Sequence, residues 1–331
     1  MFIKSWFLKL VLLFPVFLFS GVDLSLPSIV FIHIGKELPD YLETAVKQAR
    51  LFNRCNIVVV GNASALSPKQ WIFEEYGAHC VFCESLHRTG DHAAFLRYSP
   101  LDAKISNGFW RNTSERFFYL QEVMNDLNLS DVVHLENDNM LYVDVESLIP
   151  IFRDHYPPIA MVLDNDERCV PSFVYVADAS AMNHLARFMG DAAPAGKTDM
   201  EILACYFKAF GRSYSDQLPI IMGAYVSEQP LRSQMGHLAK DCLSYCKHED
   251  LFLSLFDGAA FGQYLGGLDP RYFDPQPGYV SERCLFNSSL LSYRWKVDAE
   301  GRKVPYAAYK DCEYRINNLH IHSKNLEQFS S

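Results

Sequence analysis

Two carboxylates one residue apart, Glu136 and Asp138, follow the apolar run Val132 to Leu135 in the stretch Asp131-Val-Val-His-Leu-Glu136-Asn137-Asp138-Asn-Met-Leu-Tyr142. Side chains two apart on an extended chain point the same way. The pair therefore faces one side together at the carboxyl end of a short buried strand. Like charges held that close are costly unless a cation lies between them. A divalent metal suits them, because hard cations take carboxylate oxygens and bridge to a substrate phosphate. A solvated turn is the alternative, since Asn and Asp are common turn residues.

The elements around the pair decide where it sits. Ser28 to Gly35 is a continuous apolar run of strand length, and Leu42, Ala45, Val46 and Ala49 then recur at helical spacing. Cys55 to Gly61 and His79 to Phe82 read as further strands. Buried strands alternating with amphipathic helices predict an α/β domain with a parallel sheet. Arg88 to Phe109 has no clear period and reads as an excursion over the sheet edge. Asn112-Thr-Ser-Glu115 predicts a helix start, with Phe117, Leu120, Val123, Met124 and Leu127 on one face. That helix leads straight into the acidic strand. Ligands in open α/β sheets bind outside the carboxyl ends of the strands, which is where Glu136 and Asp138 fall.

Further on, Leu148 to Phe152 reads as a helical turn, Ile159 to Leu163 and Ser172 to Ala177 as strands, and Ala179 to Met189 as a helix capped by Asp178. Thr198-Asp-Met-Glu201 is a capping box opening the helix Ile202 to Ala209. Gln217 to Lys247 reads as an irregular insert. Phe256 to Gly267 is rich in small residues, which allows close approach by another element or a ligand. Tyr293 to Val297 and Lys303 to Tyr309, joined across Glu300-Gly301, predict a C-terminal β-hairpin. The last cluster is Asn318-Leu-His320-Ile-His322-Ser-Lys324.

The chain has 331 residues, 49% of them apolar, enough for one large core or two closely joined ones. With 30 basic and 39 acidic residues it carries −9 and no basic block, which argues against nucleic acid as a partner. Lys4 and Lys9 precede the apolar run Leu10 to Phe19, so residues 1–25 read as a signal peptide or signal anchor. Entry into a secretory route is expected, with membrane attachment through this segment left open. Nine cysteines include the local pairs Cys80/Cys83 and Cys242/Cys246, neither with the complement of a zinc site. Scattered buried thiols, with or without disulfides, are expected. Asn62, Asn112, Asn128 and Asn287 head formal glycosylation sequons.

Taken in order, these pieces resemble the nucleotide-sugar-dependent glycosyltransferases of the GT-A fold. Glu136-Asn137-Asp138 is similar to their D-x-D motif with Glu in the first place. His320-Ile-His322-Ser-Lys324 is similar to their closing metal-ligand His and diphosphate-binding Lys. Thr198-Asp199-Met-Glu resembles the helix start that presents an acidic residue to the transferred sugar in glycogenin-like members. The resemblance spans most of residues 28–325. It implies a GT-A-like α/β fold: a mixed, mainly parallel central sheet with flanking helices in one domain, residues 26–331. Within it, about 26–145 would bind the nucleotide and about 146–331 the acceptor. Val170-Pro-Ser-Phe-Val replaces the Asn-Ser-Gly strand, and Met200 stands where glycogenin-like enzymes carry Gln. Inverting and retaining outcomes both stay open.

The resemblance implies metal ligation by Asp138, Glu136 and one of the two histidines, with His322 preferred over His320. Manganese is favoured over magnesium because a His joins carboxylates. Lys324 would meet the diphosphate of a nucleotide-diphosphate sugar. His33, Gly35 and Arg116 would line the nucleotide site, and Asp257 or Asp199 could act as base toward a glycan, lipid or protein acceptor. Each has a plainer reading: core histidines, a solvated helix face for Arg116, first-turn charge for Asp199 and a structural turn for Asp257. The implied location is a secretory lumen or membrane, Golgi-like in a eukaryote. An exported carbohydrate-binding or interaction protein that keeps the fold without catalysis is the competing expectation. A metal-dependent nucleotidyltransferase is less favoured, because no Gly-rich phosphate loop follows the first strand.

Overall fold

The computed structural model describes residues 21–101, 108–271, 274 and 276–331. Most of the expected targeting segment therefore lies outside the described residues. Among those described, no helix is long and apolar enough to cross a membrane.

The central sheet is built from β1 (Ser28–His33), β2 (Asn56–Gly61), β3 (His79–Phe82), β4 (Val132–Leu135), β6 (Ile159–Asn165), β7 (Arg168–Val176) and β8 (Ser215–Gln217). A short β5 (Asn139–Leu141) lies outside it. The order is β3-β2-β1-β4-β7-β6-β8. β1, β2, β3 and β4 pair in parallel, β7 is antiparallel to both its neighbours, and β8 is parallel to β6. β4 and β6 both oppose β7, so they run the same way and their carboxyl ends open on one rim.

The strands read as uninterrupted apolar runs because helices cover both faces. Ile29 to Ile32 and Ile57 to Val60 are buried throughout. The helix Asp40–Phe52 turns Leu42, Ala45, Val46 and Ala49 inward, and Phe109–Leu127 turns in Phe117, Leu120, Val123 and Met124. Asp178 caps the helix Ala179–Ala192 through Ala181 N, and Thr198 with Glu201 forms the capping box of Asp199–Phe210. This is the mixed, mainly parallel α/β sheet with flanking helices that the GT-A resemblance implies.

Two local expectations fail. The helix holding Arg116 begins at Phe109, after Gly108 at φ 77°, so Asn112 lies inside it and donates to Ile34 O. The segment from Arg88 is not wholly irregular. It contains the helix Gly90–Tyr98, whose Thr89 cap and buried His92 and Phe95 make too weak a pattern to see in sequence. All nine cysteines are free thiols.

A second sheet has the order β10-β11-β12-β9, from β9 (Ser254–Leu255), β10 (Ser292–Val297), β11 (Lys303–Tyr309) and β12 (Cys312–Ile316). The hairpin β10/β11 pairs Val297 with Lys303, as the sequence predicts. β12 runs directly into β13 (Asn318–His320), which pairs antiparallel with β5 and places His320 opposite Asn139.

Candidate active site

The β5–β13 ladder builds the site. β5 begins immediately after Asp138, so the strand that pairs with it ends beside the acidic turn. Ile321 N donates to Asp138 O at 2.9 Å, which fixes the crossing. His320 Nε2 then lies 3.2 Å from Asp138 Oδ1 and 3.2 Å from Glu136 Oε2. One ligand atom from each of Glu136, Asp138 and His320 falls within 4.8 Å of the others.

His320, rather than the preferred His322, therefore meets the carboxylates. The ladder ends at His320 and the chain turns, with Lys324 N donating to Ile321 O at 3.0 Å. His322 lies beside His320 with the rings tilted 42° and their centroids 4.2 Å apart, and its Nδ1 is 3.3 Å from Gln263 Nε2. Lys324 takes φ 63°, a left-handed conformation uncommon for a residue with a Cβ. Its ammonium pairs with Asp138 Oδ2.

The asparagines of the motif face away from the metal-ligand side. Asn137 Nδ2 donates to Ile32 O at 3.0 Å and lies 3.4 Å from His33 Nδ1. Asn139 Nδ2 donates to Ser172 O. The acidic turn is thus tied to β1 on one side and β7 on the other. His33 joins the motif through Asn137, while Gly35 packs against the His33 ring and its N donates to Asn62 Oδ1 at 2.9 Å. Sequence reasoning passed over both asparagines, although their alternation with the carboxylates was the available signal. Tyr41 was missed as well. Its ring lies 5.6 Å from Lys324 Nζ, and burial together with Asp138 pushes its phenol up to about 12.

Arg116 forks between two carboxylates, 2.7 Å from Glu136 and 2.8 Å from Asp199. It is buried, so these pairs are shielded from water. Burial alone would lower its guanidinium, but Glu136 and Asp199 outweigh that and raise it. Asp199 also accepts from Thr113 Oγ1 at 3.2 Å, and burial leaves its carboxyl raised despite Arg116.

Asp257 follows β9, which the parallel β9–β12 pairing carries alongside β13. Its carboxylate accepts from Phe261 N, Gly262 N and His320 N at 2.8–3.0 Å. Asp257 N and O are matched by the Asn318 side chain. Burial pushes its carboxyl up to about 6 against these donors. The packing needs glycine at Gly262, where a Cβ would lie 2.0 Å from His320 O.

Whether these residues fit a metal turns on two observations. Glu136 Oε2 is buried without a well-formed hydrogen bond. His320 Nδ1 lies 2.6 Å from the Gly258 carbonyl, which can only accept, so Nδ1 holds a proton and Nε2 is the atom that would ligate on giving up its own. Two carboxylate oxygens and one imidazole nitrogen suit manganese or a similar cation. Burial would raise the Asp138 carboxyl, but Lys324 and His320 hold it well below its ordinary value. Burial would lower His320, yet Asp138 and Glu136 push it up to about 9.

No protein-family model matches this chain. No curated protein matches it in sequence. Solved structures are similar at a distance. Mouse xyloside xylosyltransferase 1 in its apo form is 9% identical, with 61% of this chain and 89% of that one covered and a TM-score of 0.42. PaToxG glycosyltransferase is 9% identical, covering 57% and 68%, TM-score 0.40. A cytidylyltransferase from Leptospira borgpetersenii is 10% identical, covering 58% and 75%, TM-score 0.37. Likeness of this degree says nothing of activity, which has to be read from the acidic turn, its histidine and its lysine.

Proposed function

We propose that this chain is a metal-dependent glycosyltransferase that moves a sugar from a nucleotide-diphosphate sugar to an acceptor hydroxyl, in a secretory lumen or at its membrane. The observation that carries this is the convergence of Glu136, Asp138 and His320 beside Lys324. Glu136 Oε2, Asp138 Oδ1 and His320 Nε2 would hold the cation. When bound, it supplies charge stabilisation for a leaving diphosphate. Lys324 supplies a second positive charge at the same place, turning from Asp138 toward the phosphates. Arg116 keeps Glu136 oriented and joins it to Asp199. Asp257 acts as a positioning residue, since its oxygens already hold the backbone of His320 and of the following helix. That leaves Asp199, with two side-chain partners, as the less encumbered candidate for contact with sugar or acceptor.

One observation favours a second reading, a carbohydrate-binding protein that keeps the fold without catalysis. Both carboxylates already have protein cations, Arg116 on Glu136 and Lys324 on Asp138. Melting curves separate the two. Manganese with UDP, GDP or CDP should raise the melting temperature by mass action, chelator should reverse the shift, and Asp138→Asn should abolish it. No shift with any of these diphosphates, metal supplied, overturns the glycosyltransferase reading and leaves the second.

A further inference from the structure

A cleft of about 580 Å³ lies on the flank of the sheet, between the end of the helix Asp199–Phe210, the edge strand β8 and the insert before Lys247. That is within the roughly 300–1,000 Å³ typical of small-ligand sites. Leu163, Phe207 and Leu243 give it apolar surface. Its charges are uneven in a telling way. Asp216 pairs with Lys247, and Asp241 lies 3.6 Å from Arg212. Asp166 accepts from Tyr245 Oη at 2.6 Å and from Lys240 N at 3.0 Å. Every carboxylate of the cleft is thus engaged. The ammonium groups of Lys208 and Lys240 are exposed, and among the described residues neither has a carboxylate partner within 4.0 Å.

Place matters as much as charge. Leu163 lies near the carboxyl end of β6 and Asp166 just beyond it, on the rim where Glu136 stands, while Phe207 and Lys208 lie toward the end of their helix. Lys208 comes nine residues along its helix from Asp199, which pairs with Arg116 at the acidic site, so it stands about 13–14 Å along the axis from that end. A short oligosaccharide bridges that span. The chain as a whole carries −9 and repels anions. Two unpaired lysines on an apolar floor reverse that locally.

We propose that this cleft binds an anionic saccharide, the non-reacting part of an acceptor that carries a uronic carboxylate or a sulfate ester. Lys208 and Lys240 meet the anion, and Phe207 and Leu163 meet the apolar faces of the rings. The acceptor role rests on the glycosyltransferase reading above; the saccharide site does not. Binding energy gathered this far from the reacting hydroxyl serves to place it. Ammonium groups act as point charges and accept either anion, so the experiment has to distinguish the two.

Calorimetric titration of the full chain, with no nucleotide present, uses three probes: a glucuronic-acid-terminated disaccharide, a 6-O-sulfated disaccharide, and neutral lactose. At least one acidic probe should bind ten times more tightly than lactose, and which one does so names the anion. Lys208→Glu with Lys240→Glu should weaken that binding at least tenfold while the melting curve and the response to manganese and nucleoside diphosphate stay native. No binding of either acidic probe at millimolar concentration, or binding unchanged in the double variant, overturns the proposal. Acidic-probe binding in a chain that ignores manganese and every diphosphate keeps the saccharide site but overturns its role as an acceptor subsite.

Discussion

Asp257 accepts the backbone N–H of His320 at 3.0 Å, so a buried carboxylate fixes the residue that faces Glu136 and Asp138. Asp257→Asn replaces one acceptor with a donor aimed at backbone N–H groups. Stability should fall by about 1–3 kcal/mol. Manganese affinity should fall roughly 10–100-fold, as for other residues that orient a metal ligand. A catalytic base would behave differently, losing turnover roughly a hundredfold or more with metal affinity intact. Calorimetric manganese titration of the variant distinguishes them.

Lys324 and a metal compete for Asp138. Lys324→Met removes the ammonium now paired with Asp138 Oδ2, so manganese alone should bind more tightly. Nucleoside diphosphate, having lost a cationic partner, should bind at least tenfold more weakly in the presence of saturating manganese. Opposite signs for the two ligands are the signature. Both affinities falling together would mean that Lys324 merely holds the turn.

Arg116 pairs one guanidinium with two carboxylates, Asp199 buried and Glu136 half-buried. Arg116→Met should cost about 3–5 kcal/mol, because removing one partner of a buried pair leaves charge uncompensated. Arg116→Lys should recover only part of this, since an ammonium lacks the planar fork. Urea midpoints with an unchanged slope provide the check. A loss under about 1 kcal/mol, the size of an exposed pair, would show that Glu136 and Asp199 find other cations.

His92 is fully buried between Glu122, at 2.8 Å, and Glu115, at 3.2 Å. Burial would lower its imidazole, but the two carboxylates outweigh that and raise it. The folded state therefore holds the proton more tightly than the unfolded chain, whose histidine titrates near about 6.5. The stability this contributes is full below that value and is lost as pH rises through the folded one. The destabilisation caused by His92→Gln should be largest near pH 6 and shrink toward pH 9. A difference that stays constant over this range would mean His92 is neutral throughout.

The individual strands, the α/β class and the place of the acidic pair were legible because they depend on local pattern: apolar runs, helical spacing and a motif at a strand end. The choice between His320 and His322 was not. It depends on where β13 stops pairing with β5, a register set between segments far apart in the chain. The same holds for Asp257, which reads as a turn residue before small residues until the β9–β12 pairing brings it to His320. Arg116 was open between a nucleotide contact and a solvated helix face, because a helix start at Asn112 puts it in the first turn. Beginning at Phe109 instead, the helix carries Arg116 well within its length and buries it against Glu136.

The β5–β13 ladder also sets the order of events during synthesis. Asp138 and Lys324 are separated by 186 residues, an interval of roughly 10–40 s at about 5–20 residues per second on the ribosome. Through that interval the nascent acidic turn has neither its histidine nor its lysine. Arg116, made earlier, is the cation already at hand to hold Glu136. Capacity to take up metal should therefore appear in one late step, when the strand bearing His320 docks, so that metal uptake times the completion of the fold.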